Sequence, residues 1–292
     1  TTRSLDKCSR SAARRFRKGF PERDSEMESG FADQLVSQTE EINLDGAAEE
    51  SLAELRKLIE GEPELKASPD SADLLRFIRL RKYDAKAALD TFKKYCAIKV
   101  SAPKLFEGLR EPHKIREVAQ ELFTIMPEKN LRGKPVLICK FGKWKPSKMS
   151  NLQLMQAFVL CLEHISRCPA SQTVGVCLVC DFEGWSMANV RAVDIGHSRK
   201  LLHYMQYCLP ILPNEGHVLR EPGAFDAVYK LMKPFLKEES VKAVHLHGKN
   251  VHELLKDVPA SALPKEYGGT ASDTDWNAFW KNICLEHESA NS

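Results

Sequence analysis

The sequence predicts an α/β protein in which a small helical bundle precedes a mixed β-sheet covered by helices. Two observations lead to this prediction. Between residues 48 and 102, apolar residues recur every three or four positions, which is typical of amphipathic helices. After Pro103, short apolar runs alternate with longer helical patterns, and this alternation favours a parallel or mixed sheet with helices on its faces.

The first 47 residues are predicted to be a variable or disordered extension. The first methionine is Met27, so residues 1–26 are expected to be additional to the folded protein. They carry a basic cluster that no apolar segment follows, and a secretory signal is therefore not predicted. The alternative is a short basic arm, from Arg14 to Lys18, that touches a membrane.

Residues 48–102 are predicted to form three short helices. Asp70 or Ser71 could cap the second helix and Asp84 the third, because their side chains can accept a hydrogen bond from a free amide of the first turn. Three such helices bury little apolar surface by themselves. The bundle is therefore expected to dock on the domain that follows.

Residues 103–271 are predicted to form the main α/β domain. Its strands are expected at Val136–Cys139, Val174–Cys180, His217–Leu219 and Val244–His247. Its helices are expected at Leu152–Ser166, Val190–Cys208 and Phe225–Lys242. Residues 272–292 are predicted to form a last amphipathic helix and tail, with four apolar residues at helical spacing: Trp276, Phe279, Trp280 and Ile283.

Composition narrows the function classes. The net charge of +3 gives no global basic field for nucleic acid. No apolar run approaches the ~18 residues that a membrane-spanning helix needs. Nine scattered cysteines, several within apolar runs, are typical of free thiols in a reducing compartment. The sequence therefore predicts a cytoplasmic protein.

The common catalytic motifs are incomplete. Each Gly-Lys pair lacks the first glycine of a phosphate-binding loop, and no Gly-x-Gly-x-x-Gly is present. Ser186 and Ser198 follow Gly-x but lack the second glycine of a nucleophile elbow. We therefore expect no enzyme, no catalytic residue and no cofactor.

The candidate metal and ligand clusters favour structural roles. Cys177 and Cys180 would point to opposite faces of one strand, so they cannot share a metal. His245 and His247 share a face, but two imidazoles without a nearby acid or thiol make a poor site. Asp181, at a strand end, could serve a ligand or simply cap a turn, and the second role is favoured. No metal site is predicted.

Several segments together resemble the CRAL-TRIO lipid-binding family, in its branch of tocopherol-transfer, retinaldehyde-binding and clavesin proteins. The segments are Leu74–Asp84, Cys180–Trp185, Glu221–Pro222, Met232–Leu236, His247–Asn250 and Leu263–Gly269. They occur in the family's order and cover roughly residues 48–280. The resemblance implies a helical bundle followed by a lipid-binding domain, whose mixed sheet forms the pocket floor and whose mobile amphipathic helix forms a gate.

By position, the gate should run from Phe225 to about Ala243, here called the gate segment. Its expected gate and membrane contacts are Phe225, Lys230, Met232, Lys233 and Lys237. Pro234 lies within the helical pattern and removes one backbone donor, so a weak point is expected there. An ordinary surface helix is the alternative interpretation of the same stripe.

The resemblance also implies which residues line the pocket. They are Met155, Phe158, Leu162, Val176, Leu201, Tyr204, Met205, Leu209, Val228, Leu231 and Phe235. Each could equally be a core residue.

Two departures from the family pattern bear on the ligand. Phe158 and Leu162 replace serines that lie near the polar head of tocopherol in one relative. The positions that match that relative's basic phosphoinositide cluster hold no basic residue: Leu212, Asn214, Glu239 and Ala243. Phosphoinositide recognition would need other groups, such as Arg220 or the lysines of the gate segment.

The function expected from this resemblance is that of an intracellular lipid carrier. It would bind a tocopherol-like, retinoid-like or phospholipid molecule, phosphoinositides included, and transfer it between membranes. Its partners would be that lipid and, transiently, a membrane surface, where the otherwise cytoplasmic monomer would act peripherally. The alternative is a lipid-sensing adaptor that regulates a protein partner.

Overall fold

The computed structural model describes residues 46–65, 69–271 and 276–290. The extension predicted over residues 1–47, with its basic cluster, lies outside these ranges except for its last two residues. Three helices open the described chain: α1 Gly46–Glu60, α2 Ser71–Leu80 and α3 Ala85–Ser101. Their caps are those predicted, since Asp70 accepts the amide of Asp73 at 2.6 Å and Asp84 that of Ala87 at 2.9 Å.

A five-stranded mixed sheet forms the centre of the main domain. Its strands are β1 Phe123–Ile125, β2 Val136–Cys139, β3 Cys177–Asp181, β4 Glu215–Leu219 and β5 Val244–Leu246. They lie in the order β1-β2-β3-β4-β5. Strand β1 is antiparallel to β2, and all other neighbours are parallel. The predicted fold class is confirmed.

Helices connect and cover the strands. They are α4 Pro103–Phe106, α5 Pro112–Ala119, α6 Asn151–Arg167, α7 Pro169–Val174, α8 Met187–Ala192, α9 Ile195–His203, α10 Gly223–Met232, α11 Glu238–Lys242 and α12 Trp276–Ala290. No helix within the described ranges is both long and apolar enough to span a bilayer.

Several predicted elements have different boundaries in the structure, and local hydrogen bonds and backbone angles explain two of the differences. Pro169 starts the short helix α7, which runs to Val174, and Gly175 then adopts φ 88°, so strand β3 begins only at Cys177. The helix predicted over residues 190–208 is interrupted because Asp194 accepts the amide of His197 at 2.7 Å and starts a new helix. That helix, α9, continues into a π-type turn at Tyr204–Cys208.

The core divides across the sheet. A large cluster joins the N-terminal bundle, α6, the π-type turn and α12, and includes Leu55, Phe77, Leu162, Tyr204 and Trp280. A smaller cluster lies on the opposite face, with Val179, Leu254 and Tyr267 among its members. The bundle therefore shares one core with the helices that cover the sheet, as its small size required.

Candidate functional site

One face of the sheet, here called the helical face, lies under the helices. Side chains alternate between the two faces of a strand. The register places four pairs on this face: Leu137 and Cys139, Leu178 and Cys180, Gly216 and Val218, and Val244 and Leu246. Their burial decreases towards the edge, since Leu137 is fully buried, Leu178 and Val218 are 7% exposed and Leu246 is 49% exposed. The apolar floor is therefore incompletely covered beside β5.

The gate segment connects β4 to β5 and contains two helices. Helix α10 ends at Met232, Lys233–Phe235 form a 3-10 turn, and α11 follows. The break includes Pro234, where a weak point was predicted. Helix α10 packs against α8 and α9, two of the helices that cover the sheet.

Some apolar residues of the gate segment are buried and others are exposed to solvent. Phe225 and Met232 are each 8% exposed, and Val228 is half-buried. Leu231 and Phe235, which the resemblance assigns to the pocket lining, are 50% and 38% exposed. Leu231 lies about 100° around the helix from Met232, which places it outside the buried stripe.

Gln206, in the π-type turn, holds the far end of the gate segment. Its amide donates to the carbonyl of Phe235 at 2.9 Å and accepts from the Lys237 amide at 2.6 Å and from the Ser240 hydroxyl at 3.1 Å. Lys237 also donates to the Gln206 carbonyl at 3.1 Å. Because one side chain makes three of these bonds, a small polar contact fixes this end of the gate segment.

Two cation–π contacts reinforce this polar contact. The Arg199 guanidinium lies 4.4 Å from the ring centre of Phe235, and the Lys237 ammonium lies 3.8 Å from that of Tyr207. Lys237, predicted as a membrane contact, is therefore engaged with the protein in this state. Lys230 and Lys233 are exposed.

The other predicted pocket residues lie mainly in the core. Met155, Phe158, Leu162, Val176 and Leu209 are at most 6% exposed. Leu201 and Met205, on the side nearer the gate, are half-buried.

Tyr204 has a structural role in the core. It is fully buried, its ring packs on Phe106 at 5.2 Å, and its hydroxyl donates to Glu163.

A chain of aromatic rings connects helix α6 to the gate. Phe158 lies 5.9 Å from Phe141, Phe141 lies 5.4 Å from Phe182, and Phe182 lies 4.6 Å from Phe225 of the gate segment. We call these four residues the aromatic chain. Phe182 follows β3 directly, and Phe141 follows β2 after one residue. Both therefore lie at the carboxyl edge of the sheet, where α/β proteins place ligands.

Phe141 and Phe182 were missed in the sequence analysis, although their position supplied a signal. At the end of β3 the sequence analysis named Asp181 and not the adjacent Phe182. Asp181 accepts the Glu183 amide at 3.0 Å, pairs with Arg220 and accepts from the Tyr267 hydroxyl at 3.0 Å. The Asp181 carboxylate therefore forms a turn at the end of β3, and the ring of Phe182 contacts Phe225 of the gate segment.

The opposite face of the sheet carries a cluster with metal-ligand chemistry. Cys177, Glu215 and His217 are buried, and their ligand atoms lie within 4.8 Å of one another. His217 Nδ1 lies 2.9 Å from His247 Nε2. An acid and a thiol thus lie beside the histidines. The sequence analysis did not foresee this because Glu215 and Cys177 come from β4 and β3, whereas His245 is on β5.

Existing ion pairs oppose a metal at this cluster. Glu215 already accepts from the Lys134 ammonium at 2.8 Å and from the Arg132 guanidinium at 3.0 Å. Burial acts to raise the pKa of Glu215, but these cations and the neighbouring His217 hold it at about 2. Burial, aided by the Glu215 carboxylate, raises the pKa of the Cys177 thiol. A metal would have to displace both that proton and the two cations, so the cluster is structural.

The buried histidines predict a pH dependence of stability. Burial lowers the pKa values of His217 and His247. The unfolded chain therefore binds these protons first, and stability present above about pH 6.5 is lost as pH falls below it, by up to about 1.4 kcal/mol per pH unit for each histidine. Urea unfolding between pH 7.5 and 5.5 should show this loss. Glu215 stays ionised in both states there, since its unfolded pKa lies near 4.5.

A matched pair of variants tests whether His217 causes the loss of stability at low pH. His217→Gln should reduce it, whereas His113→Gln, at an exposed position on α5, should leave it unchanged. An identical slope in the His217→Gln protein would contradict the assignment.

A family model and individual relatives both match this chain. The model of the CRAL/TRIO domain matches residues 119–269 of this chain. The alpha-tocopherol transfer protein-like protein of Homo sapiens is 33% identical over 236 residues, which cover 80% of this chain and 68% of that protein. Clavesin-1 of Xenopus laevis is 24% identical over 216 residues, which cover 73% of this chain and 65% of that protein.

A solved structure shares the fold. The crystal structure of Sfh5 superposes with a TM-score of 0.50 at 12% sequence identity. The match covers 85% of this chain and 99% of that chain. At this identity the likeness concerns the arrangement of helices and strands alone.

Proposed function

Since the chain belongs to the CRAL/TRIO family, we propose that it encloses one hydrophobic lipid between the helical face of its sheet and the gate segment and transfers it between membranes. The observation that carries the proposal is the decreasing cover of the apolar floor towards β5. Exposed apolar side chains occur on both parts: Leu246 on the floor, and Leu231 and Phe235 on the gate segment.

The free energies explain why such a carrier needs a gate. A buried methylene contributes ~0.8 kcal/mol, so an 18-carbon chain gains on the order of 14 kcal/mol when it leaves water. A bilayer already provides that gain. The carrier therefore has to offer an apolar environment similar to that of the membrane and to shield it from water during transit.

The gate segment has the features that such a cycle requires. Its closed position is held by Gln206 and two cation–π contacts, while Pro234 interrupts its helix. Opening exposes Phe225 and Met232 beside Leu231, and a membrane interface accepts such a surface better than water does. Lys230 and Lys233 then lie near anionic headgroups. Membrane contact stabilises the open state, and departure favours closure over the lipid.

The lipid class remains broad within this proposal, covering tocopherol-like, retinoid-like and phospholipid molecules. The absence of basic residues at Leu212, Asn214, Glu239 and Ala243 leaves Arg220, Lys230 and Lys233 for phosphate groups. Arg220 already pairs with Asp181 and Glu183. The exposed lysines of the gate segment therefore act on membrane charge rather than on one bound headgroup.

Replacing an exposed apolar residue of the gate tests the proposal. Leu231→Asp should slow lipid transfer between anionic liposomes about tenfold, because an aspartate forfeits at least the ~1.5 kcal/mol that burial of leucine contributes at the interface. The closed fold should tolerate the change, since Leu231 is half exposed. Phe235→Asp should act in the same direction, although Phe235 also contacts Arg199.

The matched control is Val100→Asp, because Val100 is 82% exposed on α3 and lies outside the gate segment. Transfer assays with fluorescently labelled lipid, alongside thermal unfolding of each variant, separate transfer from stability. Unchanged transfer in both gate variants would refute the gate assignment. A stoichiometric lipid found by mass spectrometry of organic extracts from gently purified protein would identify the cargo.

A further inference from the structure

Trp185 contains a buried hydrogen-bond donor that no described residue satisfies. The side chain is 8% exposed, and its indole Nε1 has no hydrogen-bond partner in the described parts of the chain. Two other tryptophans provide the contrast, since Trp144 donates to the Met149 carbonyl at 2.8 Å and Trp280 to that of Phe123 at 3.1 Å. Buried polar groups are nearly always paired, so an orphaned donor calls for a partner from outside the chain.

The ring of Trp185 is separated from the gate segment by one other ring. Its ring lies 5.2 Å from that of Phe182, the member of the aromatic chain that contacts Phe225 of the gate segment at 4.6 Å. Trp185 follows β3 at the carboxyl edge of the sheet, where α/β proteins bind ligands.

The indole is also held firmly. The Trp185 amide donates to the Phe182 carbonyl at 2.9 Å, and the Trp144 ring packs at 5.6 Å on the indole. Asn189 fixes that neighbour by donating to the Trp144 carbonyl at 2.7 Å. A donor fixed in this way needs no rearrangement to meet a ligand.

The other orphaned buried atoms lie elsewhere. Thr124 Oγ1 is on β1, and the register places its side chain on the face opposite the helices. Arg76 Nε belongs to a guanidinium whose other nitrogens are paired with Glu163, Ser166 and Asp73. Of the orphaned atoms in the described chain, the Trp185 donor alone adjoins the gate.

We propose that the indole N–H of Trp185 donates a hydrogen bond to an oxygen of the bound lipid. This inference rests on the proposed carrier function and adds a chemical class to it. Because the indole can only donate, the lipid must present an acceptor, such as a carbonyl, ester, ether or hydroxyl oxygen. The aromatic chain would contact the adjoining apolar part, and pure hydrocarbons would leave the donor unsatisfied and bind more weakly.

Matched ligands that differ in one oxygen function test the inference. The pairs are methyl oleate with (Z)-9-octadecene, and all-trans-retinal with axerophthene, its hydrocarbon counterpart. Wild-type protein should bind the oxygen-bearing member of each pair about tenfold more tightly, the size of one hydrogen bond to a buried donor. Trp185→Phe keeps an aromatic ring but removes the donor. It should abolish the preference, because it weakens the binding of the oxygen-bearing ligand and leaves the binding of the hydrocarbon unchanged.

Two controls distinguish a donor from a packing role. Phe182→Leu should weaken the binding of both ligands of a pair to the same extent, because it alters apolar contact alone. In protein labelled with ¹⁵N at the indole nitrogens, the Trp185 proton resonance should shift downfield with methyl oleate and not with (Z)-9-octadecene, while that of Trp280 stays fixed. The shift reports the hydrogen bond directly and does not depend on the variant's folding.

The possible outcomes separate the two proposals. If both members of a pair bind wild-type protein equally, or if Trp185→Phe retains the preference, the Trp185 inference fails and the carrier proposal stands. If the Trp185 proton already has a bonded shift that no ligand changes, a water satisfies the donor and the inference also fails. If no member of either pair binds, the inference fails, and the carrier proposal fails with it only where the protein also transfers no labelled phospholipid between liposomes.

Discussion

Replacing Arg76 by methionine is expected to lower the free energy of unfolding by about 3–5 kcal/mol, because it leaves a buried carboxylate without its counter-charge. Arg76, on α2, donates to Glu163 on α6 at 3.0 Å and to Ser166 at 2.8 Å, and both charged side chains are 4% exposed. Tyr204 donates to the same carboxylate from the π-type turn. A loss of this size is a large share of the stability of an ordinary domain.

The pKa shifts support this expectation. Burial alone would raise the pKa of Glu163, but the charge of Arg76 and the Tyr204 hydroxyl outweigh it and hold that pKa below its ordinary value. Burial likewise opposes the charge on Arg76, yet the Glu163 carboxylate raises the pKa of the guanidinium. Without Arg76, Glu163 must either stay charged in an apolar core or bind a proton.

Equilibrium urea unfolding with a matched control measures the effect. Lys93→Met breaks the exposed pair with Glu62, at 2.8 Å, and should change the free energy of unfolding far less, because solvent screens that pair. The double variant Arg76→Met and Glu163→Met should recover much of the loss, because it removes the uncompensated charge as well. Similar losses of stability in the Arg76→Met and Lys93→Met proteins would contradict the expectation, because breaking the buried pair would then cost no more than breaking the exposed one.

Local pattern predicted most of the elements in the sheet. The strand Val136–Cys139 has the predicted bounds because a fully apolar run between turn residues has few alternatives. Strand β1 was missed, since Phe123–Ile125 is too short to show a period. Val174 was assigned to a strand on apolarity alone, although Pro169 and Gly175 form a helical turn and a break before β3.

The candidate site was harder to predict from the sequence than the strands were, because its contacts join distant segments. Phe182 follows β3 and Phe225 follows β4, so these residues meet only when the chain folds. No local repeat in the sequence indicates that contact. The gate stripe was found by its spacing, yet spacing alone did not separate the buried Met232 from the exposed Leu231. The orphaned indole of Trp185 depends on what surrounds it in three dimensions, so no sequence motif predicts it.

Gly142→Ala is expected to destabilise the protein by about 3 kcal/mol or more, at the upper end of the cost of overpacking. A Cβ on Gly142 would lie 2.0 Å from the carbonyl oxygen of Glu183 and 2.7 Å from its amide nitrogen. Both are backbone atoms, so no side chain can turn aside to make room. The segment after β2 and the loop after β3 must then separate.

That separation would also disturb the candidate site. Phe141 precedes Gly142, and the aromatic chain requires its ring to remain 5.4 Å from that of Phe182. Glu183 lies between Phe182 and Trp185, so any shift of its backbone moves both neighbours. Lipid binding should therefore weaken in Gly142→Ala even at temperatures where the protein is folded.

Gly223→Ala is the matched control for Gly142→Ala. Gly223 begins α10, at the start of the gate, and a Cβ there meets nothing within 4 Å. Its replacement should change stability by no more than about 0.5 kcal/mol. Chemical unfolding together with binding of retinal to both variants tests the difference. Equal stability would mean that the two loops yield at little cost, in which case the close approach at Gly142 could not be what fixes Phe182 and Trp185 beside the gate.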